Sequence, residues 1–293
     1  MEKEHKKVNK MLIYIFCIIF ASFFAILVHA LMPTAVNIED FDSILVKTFG
    51  FPIVATSYFV LLYIHCTLVT QHYGKRSDLS NKDIGLRFGF IFAGIYLLGM
   101  QEVIVEASPF LNWGIKFVTY QLFMGLGDAI PVILLCMLIS KYILPNKKEI
   151  TKMNSISKKN SIISILIIAI AFFAIRTIGY EWGFIGSNVS TFPLPSYMWT
   201  AIFGIFLGFA FIVLYPIFKN KEENKIYSFN LVVLTLGINW IIFNSFIGFI
   251  FSDTMSGVLL RSGLDVIAIY IAVIFIDKYL LCKKDEKGIN VNC

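Results

Sequence analysis

Long apolar runs separated by short polar stretches make up most of this chain. A helix needs about 20 apolar residues to cross about 30 Å of hydrocarbon, and eight runs reach that length. They cover residues 11–32, 51–69, 85–105, 117–140, 161–180, 197–218, 229–251 and 258–280. The pattern predicts an all-α integral membrane protein with eight transmembrane helices.

The basic residues indicate how these helices are oriented in the membrane. With the N-terminus inside, the inner segments are 1–10, 70–87, 141–160, 219–228 and 278–293, and they hold 21 of the 25 Lys and Arg residues. Lys and Arg collect in the cytoplasmic loops of multi-pass proteins. We therefore expect both termini in the cytoplasm of a cell whose membrane the protein spans. The Ile-, Phe-, Lys- and Asn-rich composition suggests an AT-rich bacterium.

Composition narrows the class further. Only 15% of the residues are charged and 58% are hydrophobic, whereas soluble domains are about 25% charged. The longest polar stretch, residues 141–160, is too short for a soluble domain, and no G-x-x-x-x-G-K-[ST] phosphate loop occurs, so a fused ATPase is excluded. The net charge of +6 resides in short loops, which argues against a nucleic-acid partner. We expect no cofactor and no metal site.

Two segments of the chain resemble each other around an aspartate. The stretch LGDAIPVILLCMLISKYI in the fourth run aligns with GLDVIAIYIAVIFIDKYL in the eighth, which matches Asp128 with Asp265 and Lys141 with Lys278. Weaker matches, such as FFAI at 23–26 and 172–175, follow in the same order. We expect a parallel repeat of four plus four helices, related by a pseudo-two-fold axis along the membrane normal.

This repeat divides the chain into four parts. Residues 1–144 form the first four-helix half, and residues 160–281 form the second. A basic cytoplasmic linker over residues 145–159 joins them, and a cytoplasmic tail follows over residues 282–293. Because each half has an even number of helices, both halves enter the membrane with the same orientation.

Asp128 is the most informative residue of the first half. A carboxylate in the middle of a bilayer costs a few kcal/mol, so it usually has a function. Pro131 lacks an N–H and leaves the Gly127 carbonyl without its helical partner, and Gly125 lies in the preceding turn. We expect a helix break at Gly125, Gly127 and Pro131, where transporters often build their sites. The alternative is a packing kink with a protonated aspartate.

Asp265 has a basic neighbour within its own predicted helix. Arg261 precedes it by four residues, so the two side chains share a helix face and can form an ion pair. Asp128 has Met124 at the equivalent position, which leaves Arg176, Arg261 or a bound proton as its partner. Arg176 could instead anchor its helix at the outer interface.

Glu102 is a further candidate for a pathway residue. It lies near the outer end of the third run. Polar side chains of this kind more often hydrogen-bond neighbouring helices than bind ligands, so a packing role is the alternative.

The motif GLGD at residues 125–128 resembles the G-x-G-D motif of intramembrane aspartyl proteases, the class of presenilin and signal peptide peptidase. That resemblance implies two aspartates sharing a proton, with Asp265 as the second. However, the family's Tyr-Asp pair does not occur here, and its Pro-Ala-Leu motif is replaced by Pro193-Leu194-Pro195 in an outer loop. The sequence favours a protein that is not an enzyme.

The leading hypothesis is a secondary transporter or permease-like protein for a small solute or ion, with proton coupling as one option. Asp128 and Asp265 would titrate, Arg176 and Arg261 would supply counter-charges, and Glu102 would lie along the pathway. The alternative is a non-catalytic accessory or immunity subunit whose buried charges only fix helix packing. A water-accessible cavity reaching Asp128 would favour transport. Homo-oligomerisation and a separate partner subunit both remain open.

Overall fold

The computed structural model describes residues 2–32, 38–105, 114–146, 156–218 and 227–281. The tail predicted over residues 282–293 and most of the linker predicted over 145–159 lie outside this part. Within it, every element is helical and no strand occurs. The helices are α1 (Glu2–Leu31), α2 (Ile44–Phe49), α3 (Phe51–Arg76), α4 (Asn81–Gly99), α5 (Gly114–Tyr142), α6 (Lys158–Glu181), α7 (Pro193–Phe218), α8 (Tyr227–Ile250) and α9 (Met255–Leu281).

All of these helices except the short α2 are long and apolar enough to span a membrane. The prediction of an all-α, multi-pass membrane protein is therefore confirmed at that level. Many apolar side chains of α1 point outward, including Met11, Phe16 and Phe23. An exposed apolar stripe is unfavourable in water but is the normal surface of a lipid-facing helix, since lipid tails are as apolar as the side chains.

Local signals in the sequence explain where several helices begin. Ser80 accepts a hydrogen bond from the Asp83 N–H and caps α4, and Ser157 caps α6 by accepting from the Asn160 N–H. Each serine satisfies one backbone donor that has no partner within the helix. Gly50 has φ of 81° and connects α2 to α3, a conformation that side chains with a Cβ rarely adopt.

Glycines let two pairs of helices approach closely. On α4, a Cβ added at Gly89 would lie 3.0 Å from Ile133 Cα of α5. On α7, a Cβ added at Gly208 would lie 2.7 Å from Ile165 Cα of α6. Without a hydrophobic effect between helices in lipid, such close backbone packing drives association. The α4–α5 and α6–α7 pairs are consequently among the most extensive contacts of the described fold.

The remaining contacts arrange the helices around these pairs. α1 packs on α3 and α5, and α6 packs on α7 and α9. α8 packs on α9, while α3 contacts α8 and α4 contacts α7. The last two contacts join the part of the chain before the linker to the part after it.

The helix break expected at Gly125, Gly127 and Pro131 is not an interruption of the helix, because α5 stays helical from Gly114 to Tyr142. The flanking hydrogen bonds hold the helix together across the one that Pro131 cannot make. Gly125 and Gly127 instead allow close approach: an added Cβ would lie 3.0 Å from Leu97 Cα at Gly125 and 3.2 Å from His29 Cε1 at Gly127. Irregular geometry occurs elsewhere: α8 is π-helical over Asn230–Gly237, and α9 is π-helical at its end over Asp277–Leu281.

One connection outside the spans is tied to the opposite part of the chain. The Ser252 N–H donates to Asp42 Oδ1 at 2.8 Å, and Ser43 Oγ donates to the Phe249 carbonyl at 2.6 Å. The Ser252 N–H stabilises the charged carboxylate, so the pKa of Asp42 lies below its ordinary value. These bonds hold the segment before α2 against the turn between α8 and α9.

Candidate functional site

The buried charged residues singled out from the sequence fall into two separate groups. Glu102, Arg176, Arg261 and Asp265 form the first group, which we call the four-charge cluster. Asp128 belongs to the second group together with His29, and we call these two residues the histidine–aspartate pair. Asp128 and Asp265, which the sequence alignment pairs, therefore lie in different surroundings.

Arg176 of α6 is the centre of the four-charge cluster. Its Nε donates to Asp265 Oδ1 and its Nη2 donates to Asp265 Oδ2, both at 2.6 Å. Its Nη1 donates to Glu102 Oε1 at 2.6 Å. The planar guanidinium matches a carboxylate with two parallel bonds, which is the strongest geometry available to an ion pair. Arg176 is 0% exposed, so its charge is balanced entirely by protein groups.

Arg261 and Asn244 complete the surroundings of Glu102. Arg261 Nε lies 3.2 Å from Glu102 Oε1. With its amide nitrogen turned toward the carboxylate, Asn244 donates to Glu102 Oε2 at 3.1 Å and accepts from Ser262 Oγ at 3.0 Å. Two carboxylates and two guanidinium groups thus give the cluster no net charge.

Aromatic side chains enclose the cluster. Trp240 Nε1 donates to Asp265 Oδ2 at 3.0 Å, and Tyr180 OH lies 3.4 Å from Arg176 Nη1. The rings of Phe172 and Trp199 lie 5.2 and 5.6 Å from Arg176 Cζ, within the range of a cation–π interaction. The aromatic groups exclude lipid and water while supplying further contacts to the charges.

The predicted partner of Asp265 needs correction. The sequence paired it with Arg261 on the same helix, whereas the structure gives it a two-bond pair with Arg176 from α6. An Arg that precedes an acid along a helix is the less favourable order for such pairs. A guanidinium arriving from another helix can also align its two N–H groups with the carboxylate. Arg176 is therefore no interface anchor.

The histidine–aspartate pair joins α1 to α5. His29 Nε2 lies 3.3 Å from Asp128 Oδ1, and His29 Nδ1 lies 2.7 Å from the Ala25 carbonyl. The side chain of His29 is 22% exposed and that of Asp128 is 0% exposed. Within the described residues, neither oxygen of Asp128 has a hydrogen-bond partner of good geometry. A single contact of this kind compensates a buried carboxylate far less than the bonds to Asp265.

His29 is the functional candidate that sequence reasoning missed. Its position near the end of an apolar run is typical of an interface histidine, and its spacing from Asp128 along the chain carries no signal. Gly127 could have given one, because a glycine beside a buried acid permits a neighbouring helix to come close. Trp240 was likewise missed, since an apolar helix hides an indole N–H among similar side chains.

Two cavities in the described part of the chain have linings that do not include Asp128. The larger has a volume of about 490 Å³ and lies between α3 and α8, lined by residues that include His65, His72, Arg76 and Leu234. The other has about 340 Å³ and lies between the start of α4 and the end of α5. Within the described ranges, no three His, Cys, Asp or Glu residues are grouped as metal ligands would be.

In comparisons with known proteins, no protein family, curated protein or solved structure matches the chain. A function can therefore be inferred only from the fold and from the geometry of the two charged groups. The class that the fold defines is a multi-pass helical membrane protein with a charge-compensated cluster inside its bundle.

Proposed function

We propose that this chain is a secondary transporter or permease-like protein for a small solute, located in a bacterial cell membrane. It consists of two halves of four helices, with both termini in the cytoplasm. In the described conformation, the four-charge cluster closes the solute pathway between the halves on the outer side of the membrane. The pathway is open toward the cytoplasmic side.

The pattern of helix contacts supports two related halves. If α1, α3, α4 and α5 correspond to α6, α7, α8 and α9, the α1–α5 contact matches α6–α9, and α4–α5 matches α8–α9. Between the halves, α3–α8 matches α7–α4. Each of these contacts is present. In both halves, a base on the first long helix meets the aspartate of the last, as His29 with Asp128 and Arg176 with Asp265.

The distribution of Lys and Arg supports the proposed orientation. Under the positive-inside rule, the outer ends are the end of α4, the end of α6 and the start of α9. The cluster lies near these ends: Glu102 follows α4, Arg176 lies five residues before the end of α6, and Arg261 lies six residues after the start of α9. The cavity between α3 and α8 lies toward the opposite ends, beside His72 and Arg76.

The observation that carries the proposal is the position of Glu102. It comes from the first half and contacts Arg176 and Arg261 of the second. Buried charges are costly in a membrane and usually serve a function. A polar contact between halves can separate and re-form, because each group can be satisfied by water once the pathway opens. Alternating access proceeds by rocking of one repeat against the other around a site between them, and a separable contact permits that motion.

Reconstituted flux assays test this proposal. Vesicles containing the wild type, Glu102→Gln or Glu181→Gln are compared for uptake of a panel of labelled amino acids, sugars, nucleosides and monovalent ions. Glu181 is an exposed acid at the end of α6 and serves as the matched control. We expect wild-type and control uptake of at least one solute and a changed rate in Glu102→Gln. Equal rates for all three proteins would contradict the role of the cluster, and no uptake of any solute would contradict transport.

A second candidate is a non-catalytic accessory or immunity subunit. It is favoured by one observation, that the linings of the two cavities described above do not include Asp128. In that case the cluster fixes helix packing, and the functional surface faces a partner. Flux would be absent while loss of the protein still changed the activity of that partner. The protease alternative lacks its dyad, because each aspartate contacts a basic group rather than the other aspartate.

A further inference from the structure

The histidine–aspartate pair has a hydrogen-bond arrangement that fixes where one proton must be. His29 Nδ1 lies 2.7 Å from the Ala25 carbonyl oxygen. A carbonyl oxygen only accepts hydrogen bonds, so Nδ1 carries a hydrogen and donates it. The other ring nitrogen, Nε2, then lies opposite Asp128 Oδ1 at 3.3 Å.

Only one further proton can make that contact attractive. With the proton on Nε2, an imidazolium faces a carboxylate; with the proton on Oδ1, a carboxylic acid faces a neutral ring. Both states have no net charge. If the proton leaves, the Nε2 lone pair faces a carboxylate oxygen, and a buried negative charge remains without a donor. Because a buried charge without a partner is strongly unfavourable, losing the proton favours separation of α1 from α5 at this point.

Among the described residues, the surroundings of Asp128 leave the pair as the place where this proton resides. From α3, Tyr58 and Tyr63 lie within electrostatic range of Asp128, and both are phenols that stay protonated near neutral pH. From the turn that follows α4 and also packs on α5, Glu102 belongs to the four-charge cluster. Tyr96 of α4 is bonded to the amide of Asn239.

We infer that His29 and Asp128 together bind one exchangeable proton, and that His29 is the residue through which it enters and leaves. His29 lies two residues before the end of α1 and its side chain is 22% exposed, whereas Asp128 is completely buried. Histidine is the side chain suited to exchange protons near physiological pH. Resting on the proposed transport function, we assign the proton as the coupling ion; the proton site itself does not depend on that function.

Infrared difference spectroscopy across a pH titration tests the proton site without any substrate. We expect the purified wild type to show a titrating signal from one carboxyl–imidazole pair, and both Asp128→Asn and His29→Gln to lose it. His65→Gln is the matched control, because His65 is a half-buried histidine that contacts the Leu234 carbonyl instead. The control should keep the signal. A signal that persists unchanged in Asp128→Asn or in His29→Gln would overturn the inference.

A measurement on the wild type covers the case in which a variant does not fold. Diethyl pyrocarbonate acylates accessible unprotonated histidine nitrogens, and mass spectrometry identifies the modified residue. Protein modified at His29 should lose the infrared signal, whereas protein modified only at other histidines should keep it. The reverse result would overturn the inference.

The coupling role has its own readout. In vesicles that show uptake, we expect a pH gradient to change the wild-type rate at least tenfold more than the rate of His29→Gln. Equal responses would overturn proton coupling while the infrared result still stood. Absence of uptake in the wild type would remove the transport proposal, and with it the coupling role, but not the proton site.

Discussion

Asp128 and Asp265 are equally buried, and the alignment places them at equivalent positions, yet they are held in different ways. Asp265 accepts two bonds of 2.6 Å from Arg176 and one of 3.0 Å from Trp240. Asp128 has a 3.3 Å contact to His29 and no hydrogen bond of good geometry within the described residues. Burial alone therefore does not define the role of a membrane carboxylate; the number and permanence of its partners do.

A carboxylate behaves differently beside an arginine, which keeps its charge, than beside a histidine, which can lose it. Arginine stays charged under all physiological conditions, so its partner acid stays ionised as long as the pair is intact. Histidine can give up its proton, so its partner acid can change state with it. We expect the four-charge cluster, with Arg176 at its centre, mainly to stabilise the packing of the helices. We expect the histidine–aspartate pair to respond to pH.

The largest effect on stability should come from removing Arg176. Arg176→Gln leaves Asp265 and Glu102 with no guanidinium between them, and breaking a buried pair in this way costs about 3–5 kcal/mol. Unfolding in mixed detergent micelles measures the loss. Arg176→Lys should recover only part of it, because an ammonium cannot make the two parallel bonds. Full stability of Arg176→Gln would show that the cluster is not an ion-pair network in the folded protein.

Glu102→Gln should have an intermediate effect. The change removes the charge that links α4 to Arg176 and Arg261, and a buried charged group left partly unsatisfied costs about 1–3 kcal/mol. The same unfolding assay applies, with Glu181→Gln as the exposed control. A loss as large as that of Arg176→Gln would mean that the contacts of Glu102 stabilise the fold as much as the pair of Arg176 with Asp265.

A smaller loss is expected when Trp240 becomes phenylalanine. Trp240→Phe keeps an aromatic ring beside the cluster but removes the N–H that donates to Asp265 Oδ2. One such bond contributes about 1.5–3 kcal/mol when its acceptor is charged, and Arg176 still holds the carboxylate, so we expect the lower end. Trp182→Phe, at a tryptophan that is 78% exposed, should unfold like the wild type. Equal losses in the two variants would exclude a specific bond to Asp265.

His29→Gln should change stability least. A glutamine can donate to Asp128 in place of the ring, and the existing contact is long at 3.3 Å, so we expect a change within about 1 kcal/mol. Its effect should appear in pH dependence instead. A loss of several kcal/mol in the free energy of unfolding would show that the histidine–aspartate pair stabilises helix packing as the four-charge cluster does.

The sequence predicts the membrane class and the buried charges, but not how the charges pair. Apolar runs of spanning length are a local property, so the eight helices could be found one by one. Asp265 and Arg176 are 89 positions apart, and their contact depends on how α6 packs on α9. The pair expected between Arg261 and Asp265 rested on helical spacing alone, which cannot show a competitor arriving from another helix.

The same limit explains the residues around Asp128. Pro131 predicted a break in α5, but the helix continues from Gly114 to Tyr142. The glycines before it instead allow close approach, by α4 at Gly125 and by α1 at Gly127. No pattern along the chain connects His29 to Asp128, because their contact is set by packing between the first and fifth helices. Glu102 was identified as a candidate from the sequence, but its contacts with Arg176 and Arg261 are set by helix packing and appear only in the structure.

Replacing Asp128 and Asp265 by asparagine, one at a time, and measuring the free energy of unfolding tests the difference between them most directly. Asparagine is nearly equal in volume to aspartate, and Asp78→Asn, at an exposed position between α3 and α4, is the control that should unfold like the wild type. In one unfolding experiment, we expect Asp265→Asn to lose several kcal/mol because Arg176 keeps a buried charge without its two-bond partner. Asp128→Asn should remain within about 1 kcal/mol of the wild type. Equal losses in the two variants, or a larger loss in Asp128→Asn, would contradict the account.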